Sequence, residues 1–150
     1  MRIYLVIMDE TPEAAKALRF ASRRAMKTGG NVHILALVPQ QGFAAFGGVQ
    51  ATIEQEARDR AEVVANAAAG NIFAESGKMP LISVKVGRSD ELIREYLGEH
   101  PEIAALVLGA AQNGAPGPLV THFASHAGDL PCPVYIVPGS FTNEDIDRLA

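Results

Sequence analysis

The chain has 150 residues, 48% of them apolar and 20% charged, with 13 basic and 17 acidic side chains and a net charge of −4. That is the size and balance of one domain with one core. It argues against a general nucleic-acid or anionic-membrane surface, since both need clustered Lys and Arg. Trp is absent and other aromatics are few, which argues against base-stacking platforms. The single cysteine, Cys132, leaves no intrachain disulfide and no zinc cluster to form, as suits a reducing compartment.

Ile3 to Met8 is a continuous apolar run, the pattern of a strand buried on both faces. It is too short for a signal-peptide core or a membrane span, so the expected location is the cytoplasm. Asp9-Glu10-Thr11-Pro12-Glu13 then reads as a helix start, with Thr11 as N-cap and Pro12 at the first helical position. Ala14, Leu18, Ala21 and Ala25 recur at helical spacing until Gly29-Gly30. Val32 to Val38 is a second buried-strand pattern. The Gly- and Ala-rich stretch Gln41 to Gly48 reads as a mobile connection.

From about Gln50 to Ala74 the pattern is helical, and Ile53, Ala57, Ala61, Val64 and Ala68 are expected to form its inner face. Ile82, Val84 and Val86 alternate with Ser83 and Lys85, as in a strand with one wetter face, at a sheet edge. Gly87-Arg88 turns the chain, and Ser89 is expected to cap a helix carrying Leu92, Ile93, Tyr96 and Leu97. Ile103 to Leu108 is the fourth strand. Gly109 to Pro118 reads as a loop, and Leu119 to Ala127 as a short helix. Val134 to Val137 is the fifth strand, and the tail 139–150 has room for a helical turn.

This order is β-α-β-α-β-α-β-α-β, with no internal repeat and no second core across 1–150. It predicts an α/β, doubly wound parallel sheet with helices on both faces. Ligands of such sheets bind beyond the carboxyl ends of the strands. The segments to inspect are Asp9 to Thr11, Val38 to Gly48, Gly87 to Ser89 and Gly109 to Thr121.

Three segments together resemble the universal stress protein family. One is the opening strand ending in Asp9, followed by a helix. The next is Val84-Lys85-Val86-Gly87-Arg88-Ser89-Asp90-Glu91-Leu92-Ile93. The third is Ala105-Leu106-Val107-Leu108-Gly109 with the later Leu130-Pro131-Cys132-Pro133-Val134-Tyr135-Ile136-Val137. The resemblance spans roughly residues 2–138. It implies the adenine nucleotide alpha hydrolase-like fold, with five strands in the order 3-2-1-4-5. It also implies a role in stress tolerance and a homodimer through the last strand, Val134, Tyr135, Ile136 and Val137.

For nucleotide-binding members, the resemblance implies an Asp after strand one that meets adenosine, and glycines after strand four that hold phosphates. Asp9 matches the Asp, and Val38 the position whose backbone meets adenine. Gly109 matches the first glycine and Thr121 the final hydroxyl residue. Gln112 and Val120 stand where two further glycines belong, Glu10 replaces a small residue, and no Lys or Arg occurs from Gly109 to Pro131. The implied ligand is therefore ATP or AMP, weakly held, in a protein that is not an enzyme. The alternative is an ATP-binding switch with slow hydrolysis.

Plainer readings stand beside these. Asp9 suits a helix start, Gly109 a tight turn, and Thr121 a helix cap or an exposed hydroxyl. His122 and His126 have the i, i+4 spacing of two metal ligands, but no third ligand accompanies them, and no metal is expected. Cys132, between prolines, reads as a structural thiol. A phosphoacceptor receiver domain would need an Asp after strand three and a Lys after strand five; Gly87-Arg88 and Pro138-Gly139 stand there instead.

Overall fold

Strand β1 (Ile3–Met8) lies at the centre of a five-stranded sheet in the order β3-β2-β1-β4-β5, as expected. The computed structural model describes the backbone of residues 1–40 and 47–150; side chains are described except at 41–50. The remaining elements are α1 (Pro12–Thr28), β2 (Asn31–Val38), α2 (Gly47–Ser76), β3 (Leu81–Val86), α3 (Ser89–Glu99), β4 (Ile103–Ala110), α4 (Pro118–Ser125), β5 (Val134–Pro138) and α5 (Asn143–Leu149). Every strand pairing is parallel. Of the predicted connection from Gln41 to Gly48, residues 41–46 fall outside the described residues, and Gly47 and Gly48 already belong to α2.

Alternation along the strands splits their apolar side chains between two cores. Tyr4, Val6, Ile34 and Val107 face α1 and α2, packing on Ala17, Ala21, Ala65 and Ala69. Leu5, Ile7, Leu35 and Leu106 face α3 and α4, packing on Ile93, Tyr96 and Phe123. Between Ile3 and Tyr4 the register against β4 skips a residue, from Ile103 to Ala105. That irregularity lets both Ile103 and Ala105 be buried, one in each core.

Small residues decide how closely α1 approaches the sheet. Its buried face is Ala14, Ala17, Ala21 and Ala25, and Gly29 ends it in the left-handed conformation, φ 69°. Thr11 occupies the N-cap position, but its side chain does not cap the helix. The hydroxyl donates instead to Asp9 Oδ1 at 2.5 Å, and the Thr11 amide donates to the same oxygen at 3.0 Å. The start of α3 also differs from expectation. Arg88 is its N-cap and Ser89 its first helical residue, with no side-chain cap bond.

Helix α2 corrects part of the predicted inner face. Ala61 and Ala68 do pack against the core, half-buried. The buried residues among those described are Ala65, Ala69 and Ile72, whereas Ile53 and Val64 are 42% and 52% exposed. The helix has 30 residues, about 45 Å at the usual rise. That is more than twice the reach of a six-residue strand such as β3. Its C-terminal part covers β2 and β3, and Ala57, Ala61, Val63 and Val64, near its middle, reach the cleft described below.

The tail also does more than add a turn. Thr142 and Asp145 form a reciprocal capping box that starts α5. Ile146 is fully buried beside Val137, in the core that Phe20 and Phe141 flank. Arg19 donates twice to Asp147, at 2.9 and 2.8 Å, and Arg23 once, at 3.2 Å. Lys27 donates to the carbonyls of Asp147 and Ala150, and Lys16 to that of Phe141.

Candidate functional site

A cleft of about 1090 Å³ opens at the carboxyl ends of β1, β2 and β3. Its floor is Met8, Asp9 and Glu10 after β1, with Ala36 to Pro39 at the end of β2. One wall is α2, through Ala57, Asp59, Arg60, Ala61, Val63 and Val64. The other wall is the start of α3, Arg88 to Asp90, and the α4 residues Pro118, Leu119 and His122. A large concavity with apolar walls and a few polar groups is the usual shape of a small-ligand site. Its position fits the rule for doubly wound sheets.

Of the residues singled out from sequence, Asp9 and Val38 come together here. Asp9 is exposed at the floor, with Oδ1 taken by the two Thr11 bonds. Val38 is buried, and its carbonyl accepts from the Gly87 amide at 3.1 Å, tying the ends of β2 and β3.

Gly109 and Thr121 are not among the residues that line this cleft. Gly109 lies inside β4, opposite Val137, rather than in the expected loop. A β-carbon there would stand 2.2 Å from the Glu13 carbonyl oxygen, so glycine is required for α1 to start against β4. Thr121 is exposed; its amide donates to the Gly117 carbonyl at 3.1 Å. Val120, where the family would have a glycine, is buried with Leu108 and Phe123 and serves the core.

The far wall holds Arg88, from the segment Gly87 to Ser89 marked for inspection, together with Asp90 and His122, which the sequence did not assign to a ligand site. Arg88 Nε donates to Asp90 Oδ1 at 2.9 Å, and its Nη1 lies 3.6 Å from Glu91 Oε1. His122 Nε2 is 3.9 Å from Asp90 Oδ2, buried, and without a hydrogen-bond partner among the described residues. Burial works against the charge on Asp90, but Arg88, the backbone amide and His122 outweigh it and hold the carboxyl below the usual range. The signal for this wall lay in a motif read for its turn and in a histidine pair read for metal. His122 and His126 stack at 4.5 Å between ring centres. Among the described residues no group of three or more His, Cys, Asp and Glu could hold a metal ion. Burial pushes the Cys132 thiol up, with a backbone hydrogen bond at Leu106 opposing, which suits a packed thiol rather than a nucleophile. No helix among the described residues is long and apolar enough to cross a membrane.

The fold and cleft define a class first: a doubly wound α/β domain with a ligand cleft at its strand ends. The sequence matches the model of the Universal stress protein family over residues 1–138, and the chain belongs to that family. Solved structures agree on the fold. The universal stress protein UspA from Lactobacillus plantarum superposes with a TM-score of 0.81 at 22% identity, covering 91% of this chain and 97% of that one. A universal stress protein family member from Burkholderia pseudomallei gives 0.69 at 16% identity, covering 91% and 95%. A family member from Arabidopsis thaliana, solved with AMP bound, gives 0.56 at 14% identity, covering 92% of each. No curated protein sequence matches this one.

Proposed function

We propose that this universal stress protein is a non-enzymatic stress-response protein that binds an adenosine nucleotide weakly and acts as a homodimer. The observation that carries the ligand reading is the meeting of Asp9 and Val38 on one large, mostly apolar cleft, while Gly109 and Thr121 lie outside its lining. This supports reading the adenosine side of the family's site as better kept than the phosphate side. Charge points the same way. Asp9, Glu10, Asp59 and Asp90 reach the cleft, against Arg60 and Arg88, and Arg88 is already held by Asp90 and Glu91. A triphosphate would enter a field of its own sign. AMP in the Arabidopsis relative supports a nucleotide of this base as the ligand.

The test is calorimetric titration with ATP and AMP, with mass spectrometry of any ligand carried through purification. ATP is expected to bind no better than AMP, and Asp9→Ala to weaken whichever binds. Submicromolar ATP affinity with a marked preference over AMP would favour the alternative, an ATP-binding switch with slow hydrolysis.

The homodimer reading rests on β5. It lies at the sheet edge, and its Ile136 is 43% exposed. An open apolar edge invites pairing, and a two-fold axis satisfies both copies at once.

A further inference from the structure

We infer that Asp90 and His122 form a subsite for a ligand hydroxyl on the far wall of the cleft, the sugar side of a nucleoside. The inference rests on the reading of the cleft as an adenosine site and adds residues that the family pattern did not supply.

The geometry makes the case. His122 Nε2 is buried and has no hydrogen-bond partner among the described residues. Buried polar atoms are rarely left so, and an absent partner is the usual reason. Asp90 Oδ2 stands 3.9 Å away, too far for a direct hydrogen bond. A hydroxyl oxygen about 2.8 Å from each atom closes that gap as a triangle. It donates to the carboxylate and accepts from the ring N–H, which a hydroxyl can do and a phosphate oxygen cannot.

Both partners are held in place. Arg88 Nε fixes Asp90 Oδ1 at 2.9 Å. The His122 ring lies between His126, stacked at 4.5 Å, and Phe123, edge-on at 5.0 Å. Asp90 and His122 both line the cleft. Their side chains are 22% and 29% exposed, the His122 value coming from ring atoms other than the covered Nε2. The same arrangement disfavours an anion. Arg88 is the nearest cation, and it is engaged by two carboxylates.

The experiment compares adenosine, 2′-deoxyadenosine and 3′-deoxyadenosine by calorimetry on the full chain. The imidazole nitrogens of His122 are followed by NMR in the wild-type protein. Loss of one ribose hydroxyl is expected to weaken binding about tenfold or more, as for a hydrogen bond to a charged group. The same loss is expected to make no difference in Asp90→Ala or His122→Phe. Adenosine should move the His122 Nε2 resonance, and the weaker deoxy analogue should not. Adenosine binding with no discrimination among the three and an unmoved His122 signal would overturn the subsite while leaving the nucleoside reading intact. No binding of any adenosine compound would overturn both. The NMR readout on unmodified protein decides the matter even if a variant fails to fold.

Discussion

The carbonyl oxygen of Glu13 sits 2.2 Å from where a β-carbon on Gly109 would be. A glycine that looks like a phosphate-loop residue therefore has a packing duty, at the contact between the start of α1 and the end of β4. Gly109→Ala is expected to cost about 1–3 kcal/mol, the range for an overpacked site that must shift backbone. Gly98, in α3, has nothing within 4 Å of the added carbon. Gly98→Ala should leave stability unchanged or slightly raised, since alanine is the better helix former. Urea unfolding of the two variants checks this; a Gly109→Ala curve coincident with wild type would sink the packing account.

Helix α5 is held to α1 by charge as well as by Ile146. The hydrogen bonds from Arg19 hold the Asp147 carboxyl below the usual range, against a smaller opposing effect of burial. Asp145 is lowered too, first by its bond to the Thr142 backbone. Both folded values lie below the unfolded ones. The stabilisation is therefore complete above about pH 4 and is lost as pH falls through the lowered folded values. Asp147→Asn should loosen α5 at neutral pH, and high salt should do the same to wild type. Amide exchange across 143–149 should rise in the variant while that of β1 stays unchanged. Equal protection of α5 in variant and wild type would refute the latch.

The structure also selects which substitution tests the dimer. Val137 is buried and Tyr135 packs against Tyr4 and Phe20, so both belong to the chain's own core. Ile136 points to the other face and is exposed. Ile136→Lys is expected to shift the protein toward monomer with little loss of stability. Val137→Lys should instead destabilise the fold by roughly 3–5 kcal/mol, as a buried unpaired charge does. Sedimentation velocity separates these; a wild-type monomer at high micromolar concentration would end the homodimer proposal.

His33 supplies an acid-sensitive point within the sheet. Burial, and secondarily His100, holds its imidazole below the ordinary value, with Glu102 opposing. Its Nδ1 is 3.1 Å from the Tyr96 hydroxyl, and His100 stacks on the same tyrosine at 3.9 Å. The unfolded chain takes up the proton at higher pH than the folded one does. Stability from this group is therefore full above about pH 6.5 and is lost as pH falls through the lowered folded value. Urea midpoints should drop between pH 7.5 and 5.5 in wild type, and less steeply in His33→Leu. Parallel pH profiles for the two proteins would remove His33 from this role.

Much of this architecture could be read from local pattern. The apolar runs Ile3 to Met8, Val32 to Val38 and Ile103 to Leu108 are strands with the expected bounds, or within two residues of them. Burial on both faces leaves such a run little else to be. Ile82 to Val86 is an edge strand, as expected, but all five residues are half-buried, so neither face is the wetter one. Asp9 and Val38 were placed at the strand ends by the same alternation of elements, and they do meet at one cleft.

Long-range geometry lies outside what a linear pattern carries. Gly109 reads alike as a turn, a phosphate contact or a packing glycine, and only the approach of Glu13, distant in sequence, tells these apart. The face of α2 that is buried depends on where its 30 residues lie over β2 and β3; the stripe that helical period selects packs on the core at Ala61 and Ala68 but meets the cleft at Ala57, Ala61 and Val64. Asp90 and His122 sit on different helices, and their 3.9 Å separation arises because α3 and α4 lie on the same side of the sheet. Local sequence determines which segments can be strand or helix, since burial pattern and caps act over a few residues. Which side chains share a wall is decided by packing between distant segments, so the polar pair in this cleft exists only in the folded chain.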